Sequence, residues 1–181
     1  MDYTRNLLGQ IDSVTTAQGA NFNTLTSSIT YEPFGPMNAM TYGNGLNHSR
    51  SYDLDYRLTH LVTGTVLDLT YTLNAANNIT GITNNVDAAR SQTFAYDELN
   101  RLTDATGIYG DLEYTYDANG NRTSDAINSS SLKTYTYDTV SHHLLQTVNG
   151  GTIDYSYDAN GNTTSNTDKE FIYGVSRPTV R

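Results

Sequence analysis

A tyrosine followed by a turn-forming residue returns about every twenty residues along this chain, and this period constrains the fold more than any other feature. Tyr114-Thr115-Tyr116-Asp117-Ala118-Asn119-Gly120-Asn121-Arg122 comes back as Tyr155-Ser156-Tyr157-Asp158-Ala159-Asn160-Gly161-Asn162-Thr163. Further copies read Tyr135-Thr136-Tyr137-Asp138, Phe94-Ala95-Tyr96-Asp97 and Tyr52-Asp53-Leu54-Asp55-Tyr56-Arg57. Tyr71-Thr72-Leu73-Asn74 is a degenerate copy, and Tyr31-Glu32 and Tyr173-Gly174 are weaker flanking ones. The anchors are therefore Tyr31, Tyr52, Leu73, Tyr96, Tyr116, Tyr137, Tyr157 and Tyr173, at spacings of 21, 21, 23, 20, 21, 20 and 16 residues.

Each copy has the grammar of a β-hairpin. Before the anchor, side chains alternate with period two, so Tyr114 and Tyr116 share one face and Thr115 takes the other. Leu67, Leu69, Tyr71 and Leu73 do the same. After the anchor comes a residue that can cap a turn with its side chain: Asp53, Asn74, Asp97, Asp117, Asp138 or Asp158. Gly120 and Gly161 supply a position that tolerates positive φ. Leu102 and Arg122 then open return strands. Arg57, Arg101 and Arg122, just after three of the turns, are expected to bond turn carbonyls or the neighbouring repeat. A second turn per repeat is visible at Gly107 to Gly110, Ser129 to Ser131 and Asn149-Gly150-Gly151. No apolar stripe of helical period appears. The one helical exception expected is a short turn near Asp87 to Arg90.

Large aliphatic side chains are scarce, which by itself approaches the composition of unfolded chains. Fifteen tyrosines, many threonines and the strict period argue for a folded β protein instead. The formal net charge of −9 argues against a nucleic-acid partner, which needs a basic stripe. There is no cysteine, hence no disulfide or thiolate site. No apolar run is long enough for a membrane span. No leader is visible after Met1-Asp2, so any export signal is expected outside this segment.

The expected fold is all-β: tandem hairpins paired edge to edge in a curved or spiralling antiparallel sheet of about 14–18 strands. Residues 1–30 are read as further strands of the array with weak repeats, carried by Leu7, Leu8, Ile11, Val14, Phe22, Leu25 and Ile29. Residues 31–181 are the tyrosine-aspartate repeats. Open sheet edges invite flanking repeats of a longer chain, or self-association.

The repeated Tyr-Asp-x-x-Gly-Asn-Arg pattern, with Tyr31-Glu32-Pro33-Phe34-Gly35 and Tyr42-Gly43-Asn44-Gly45-Leu46, resembles the YD repeats of bacterial Rhs proteins, toxin-complex cocoons and animal teneurins. The resemblance covers about residues 30–175. It implies a hollow β-shell that encloses a polypeptide cargo such as a toxin domain, or, in teneurins, one that presents adhesion surfaces. It also implies a bacterial, exported parent protein, secreted or at the cell surface. Two features of that family are missing: the number of repeats a complete shell needs, and the Asp-Pro-containing autoproteolytic segment. On this reading a toxin domain is expected to lie outside the segment. The segment is thus expected to be part of a wall without cutting machinery or cargo.

Enzymatic readings fare poorly. A calcium loop starting at Asp117 would need Gly at its sixth position and Glu at its twelfth, and Arg122 and Asn128 stand there. An aspartate repeated at every turn is explained by turn geometry better than by a single catalytic pair. His48, His60, His142 and His143 form no zinc pattern and are expected on the surface or in turns, with adjacent His142 and His143 on opposite faces of a strand. No catalytic residue, cofactor or metal is therefore assigned. The leading reading is a structural shell segment around a polypeptide cargo. The alternative is an adhesion or glycan-binding module using exposed tyrosines.

Overall fold

The computed structural model describes residues 1–18, 21–130 and 132–171, with the side chains of residues 17, 18, 21 and 22 outside the description. The anchor expected at Tyr173, the end of the turn at Ser131 and the side chain of Phe22 lie outside the described residues. The chain divides into two compact units, Met1–Asn100 and Arg101–Arg181.

The first unit is an antiparallel meander of β1 (Asp2–Arg5), β2 (Ile11–Gln18), β3 (Asn21–Tyr31), β4 (Met37–Tyr42), β5 (Asn47–Tyr52), β6 (Leu58–Thr63), β7 (Leu67–Leu73), β8 (Ile79–Asn84) and β9 (Gln92–Tyr96). Each strand pairs with the next in sequence. The second unit repeats the plan with β10 (Leu102–Gly107), β11 (Gly110–Tyr116), β12 (Arg122–Ile127), β13 (Lys133–Tyr137), β14 (Leu144–Val148), β15 (Thr152–Tyr157), β16 (Thr163–Asn166) and β17 (Lys169–Glu170). The fold class is all-β antiparallel hairpin repeats, as the period requires. Among the described residues the only helical element is one 3-10 turn, Ala88–Arg90, capped by the Asp87 carboxylate accepting from Ala89 N–H.

Alternation is cleanest in β9, β11 and β15, where Phe94 and Tyr96, Leu112, Tyr114 and Tyr116, and Ile153, Tyr155 and Tyr157 are half-buried between exposed neighbours. Full burial is rare: Ala105, Ala126, His48 and Thr147 reach it among the described residues. Stability therefore comes from ladder bonds and half-covered side chains rather than from a sealed core.

The pairing carries a regular irregularity. Arg5 faces Ile11, Tyr31 faces Met37, Tyr52 faces Leu58, Leu73 faces Ile79, Tyr116 faces Arg122, Tyr137 faces Leu144 and Tyr157 faces Thr163. At each of these the register slips by one residue just before the anchor. A bulge of this kind bends the return strand and raises its twist.

Two expectations fail here. Leu7 and Leu8 lie not in a strand but at the fully exposed tip of a turn between β1 and β2. His142 and His143 lie in the loop before β14, not on opposite faces of a strand.

Candidate functional site

The repeated element that could carry function is the loop after each anchor together with the anchor's own hydroxyl. At Asp117, the residue's N–H donates to Asn121 O at 2.9 Å, and Gly120 N–H donates back to Asp117 O at 3.2 Å. Asp117 Oδ1 accepts from Asn119 N–H and Asn121 N–H, both at 2.9 Å, and Oδ2 accepts from the Asn121 amide at 2.9 Å. Asp158 makes the same bonds to Asn160 and Asn162. Asp53 caps Asp55 and Arg57 N–H, and Asn74 caps Ala76 and Asn78 N–H. Asp97 Oδ1 accepts from Leu99 N–H at 2.9 Å. At Asp138 the loop is one residue longer: Asp138 N–H reaches His143 O, and the carboxylate accepts from Val140 and Ser141 N–H.

One residue near the end of each loop sits in the left-handed region. Gly120 (φ 89°) and Gly161 (φ 84°) occupy it without a Cβ penalty. Tyr56, Asn77, Asn100 and His142 occupy the same place with φ of 59°, 67°, 61° and 59°.

These bonds hold the loop carboxylates charged. Asp117 and Asp158 titrate below the usual carboxylate range chiefly because the side chains of Asn121 and Asn162 donate to them. Asp53 is lowered first by the Arg57 N–H, then by its guanidinium, and Asp138 first by the Ser141 N–H. With its acceptor sites taken by the loop, the Asp117 carboxylate serves the turn rather than a cation. Among the described residues no group of three or more histidines, aspartates and glutamates is placed to hold a metal ion.

The anchor tyrosines reach beyond their own hairpin. Tyr31 Oη–H donates to Ile11 O at 2.8 Å, Tyr52 to Met37 O at 2.7 Å, and Tyr96 to Ile79 O at 2.8 Å. In the second unit Tyr116 donates to Leu102 O at 2.8 Å, Tyr137 to Arg122 O at 3.0 Å, and Tyr157 to Leu144 O at 2.8 Å. Every acceptor is the first residue of a return strand in the preceding repeat. Six hydroxyls thus latch six hairpins to their predecessors. Leu73 has no hydroxyl, so the corresponding Leu58 carbonyl receives no such bond from its anchor.

The arginines also lean on the following repeat. Arg57 pairs with Asp53 at 2.6 Å and donates to Asn77 Oδ1 at 2.8 Å. Arg101 donates to Asp117 O at 2.8 Å and lies 4.7 Å from the centre of the Tyr116 ring. Arg122 donates to Tyr135 Oη at 2.9 Å and stacks over that ring at 5.0 Å.

Sequence reasoning also placed His48 wrongly. His48 is buried in β5, with Nδ1 2.7 Å from Thr63 Oγ1 and Nε2 accepting from Arg50 Nε–H at 3.0 Å. Burial, then the Arg50 charge, pushes its pKa down. His60 is half-buried in β6 against Asp68 at 2.7 Å. Two open hollows lie along the turn edge of the first unit. One of about 600 Å³ is lined by Leu8, Gln10, Tyr31, Glu32, Pro33 and Phe34. Another of about 410 Å³ is lined by Glu32, Tyr52, Asp53, Leu54 and Tyr56.

A family model for the teneurin YD-shell matches residues 64–176, more than half of the chain. The chain belongs to the teneurin YD-shell family. Solved structures agree on the fold of this YD-shell segment. The crystal structure of TcdB2-TccC3 superposes with a TM-score of 0.68 at 18% identity, covering 95% of this chain and 12% of that one. TcdB2-TccC3-Cdc42 gives 0.67 at 19% identity, over 91% and 11%. The Photorhabdus luminescens Tc holotoxin pore gives 0.62 at 18% identity, over 91% and 12%. The YD-shell segment thus spans about a ninth of the length of those chains. No curated protein matches it.

The YD-shell repeat holds one loop that sequence reasoning missed. Asn6 N–H donates to Gln10 O, Gly9 N–H returns to Asn6 O, and Asn6 Oδ1 caps Leu8 and Gln10 N–H. The signal was present as Asn6-x-x-Gly9, which matches the spacing of Asp117 to Gly120.

Proposed function

We propose that this YD-shell segment is a length of wall that encloses or presents a polypeptide cargo, such as a toxin domain, within a longer exported bacterial protein. The observation that carries the reading is the set of tyrosine hydroxyls, each spent on a carbonyl of the preceding repeat. A side chain used this way ties a hairpin to its predecessor, as a wall requires. Its ring is half-buried and its polar tip is occupied, which leaves little for stacking on a sugar ring. The six anchor rings therefore give the adhesion and glycan reading no support. Arg57, Arg101 and Arg122 act in the same sense, as ties between successive repeats. The aspartates fix the turns, and the mechanism is steric.

The test is limited proteolysis of the full-length protein that carries this segment, read by mass spectrometry. An enclosing wall predicts a fragment outside the repeats that survives protease under native conditions and is cut once urea opens the wall. Cleavage of every non-repeat region at equal rates before and after urea would contradict enclosure.

A further inference from the structure

Four Asn-Gly pairs occur in the chain: Asn44-Gly45, Asn119-Gly120, Asn149-Gly150 and Asn160-Gly161. Such pairs share one spontaneous chemistry. The glycine backbone nitrogen loses its proton and attacks the asparagine Cγ. A C–N bond forms, ammonia leaves, and a cyclic imide results. Water then opens the imide at either carbonyl, giving aspartate or isoaspartate. The glycine N–H must be free to ionise and to swing toward Cγ.

Three of the four glycines lack that freedom. Gly45 N–H donates to Tyr42 O at 2.8 Å, Gly120 N–H to Asp117 O at 3.2 Å, and Gly161 N–H to Asp158 O at 3.0 Å. Each bond is the one that closes its loop, the β4–β5 loop for Gly45 and the loops after two anchors for Gly120 and Gly161. Two of the asparagine side chains are tied as well: Asn44 Oδ1 accepts from Leu46 N–H at 3.1 Å, and the Asn119 amide lies 3.3 Å from His142 Nδ1.

The Asn149 loop is built differently. Asn149 N–H donates to Gly151 O at 2.9 Å, and this bond closes the loop in place of one from the glycine. Among the described residues the Gly150 N–H donates to no other group. Asn149, Gly150 and Gly151 are all exposed. Gly150 also has φ of 66° and open space around it, as Gly45 and Gly120 do, so hydrogen bonding rather than packing distinguishes its loop.

The geometry points to Asn149 as the self-modifying position of the folded chain, an imide-forming site selected from four identical dipeptides by the hydrogen bonding of its turn. The product places a new carboxylate at the tip of the β14–β15 hairpin, beside the Val148–Thr152 pair. The isoaspartate form also lengthens the loop backbone by one methylene. The loops at 44, 119 and 160 are spared because the bond that shapes the turn also withholds the nucleophile.

The experiment incubates the whole chain in oxygen-18 water at mildly alkaline pH, with and without urea, then maps peptides by mass spectrometry. In the folded chain, label and isoaspartate should accumulate at 149 at least about tenfold faster than at 44, 119 or 160, the factor that a modest local opening imposes. In urea the four rates should converge. Equal rates in the folded chain would overturn the assignment. So would an unchanged preference for 149 in urea, because the selectivity would then lie in the local sequence.

Discussion

The hairpins at Asp117 and Asn74 adopt the same loop by different means. Both close through the same pair of backbone bonds, and in both the side-chain Oδ1 caps two N–H groups. Asp117 is an ion with a second oxygen bonded to Asn121, and Gly120 takes the left-handed position. Asn74 is neutral, and Asn77 takes that position with φ of 67°. Tyr116 latches to Leu102, whereas Leu73 cannot latch to Leu58. Turn and latch are therefore separable devices. The loop survives loss of charge, glycine and hydroxyl together, because its paired backbone bonds do not depend on them, and at Glu32 the same pair forms without any Oδ1 acceptor.

The largest expected difference between the two is truncation at the anchor. Tyr116→Ala should cost roughly 2–3 kcal/mol, from half-buried ring area plus the lost bond to Leu102 O. Leu73→Ala removes area alone and should cost less in urea unfolding of the same chain. A Leu73 variant as damaging as the tyrosine variant would break the distinction.

Backbone strain comes next. Gly120→Val puts a β-branched residue at φ 89° and should cost about 1–2 kcal/mol. Asn77→Gly relieves the same position and should be neutral or slightly stabilising. Thermal unfolding of both variants reads the sign.

Acid separates the loops by charge. The folded pKa of Asp53, Asp117, Asp138 and Asp158 is lowered, so each contributes stability above the unfolded value near 3.8 that is lost as pH falls through the folded value. Amide exchange at Asn119 and Asn121 should accelerate there relative to Ala76 and Asn78, after correction for intrinsic rates. Parallel behaviour of the two loops would mean that charge contributes nothing. His48 adds a loss in the same direction at higher pH, since its lowered pKa makes the unfolded state bind the proton first, as pH falls through about 6.5.

The smallest effect is a gain. Leu73→Tyr should restore the missing latch to Leu58 O and stabilise by about 0.5–1 kcal/mol.

Most of the fold was legible because tyrosine, alternation and turn chemistry coincide in one period. The loop at Asn6 was not, because Arg5 replaces the anchor tyrosine and Leu7-Leu8 mimics an apolar strand. The latch was half legible. The anchors were identified as structural positions on one face of the hairpins, but their hydroxyls were given no role. The preference for tyrosine over phenylalanine, 15 against 4, carries that information, since packing alone does not distinguish the two. The burial of His48 depends on its cross-strand partner Thr63, fifteen residues away, which no local pattern encodes.

Tyrosine-to-phenylalanine substitution, made singly at residues 31, 52, 96, 116, 137 and 157 and followed by urea unfolding, interrogates the latch directly. It removes one oxygen and leaves the ring. Each variant should lose about 1 kcal/mol with an unchanged denaturant slope. Six variants as stable as the parent chain would mean that the hydroxyls do not hold the repeats together.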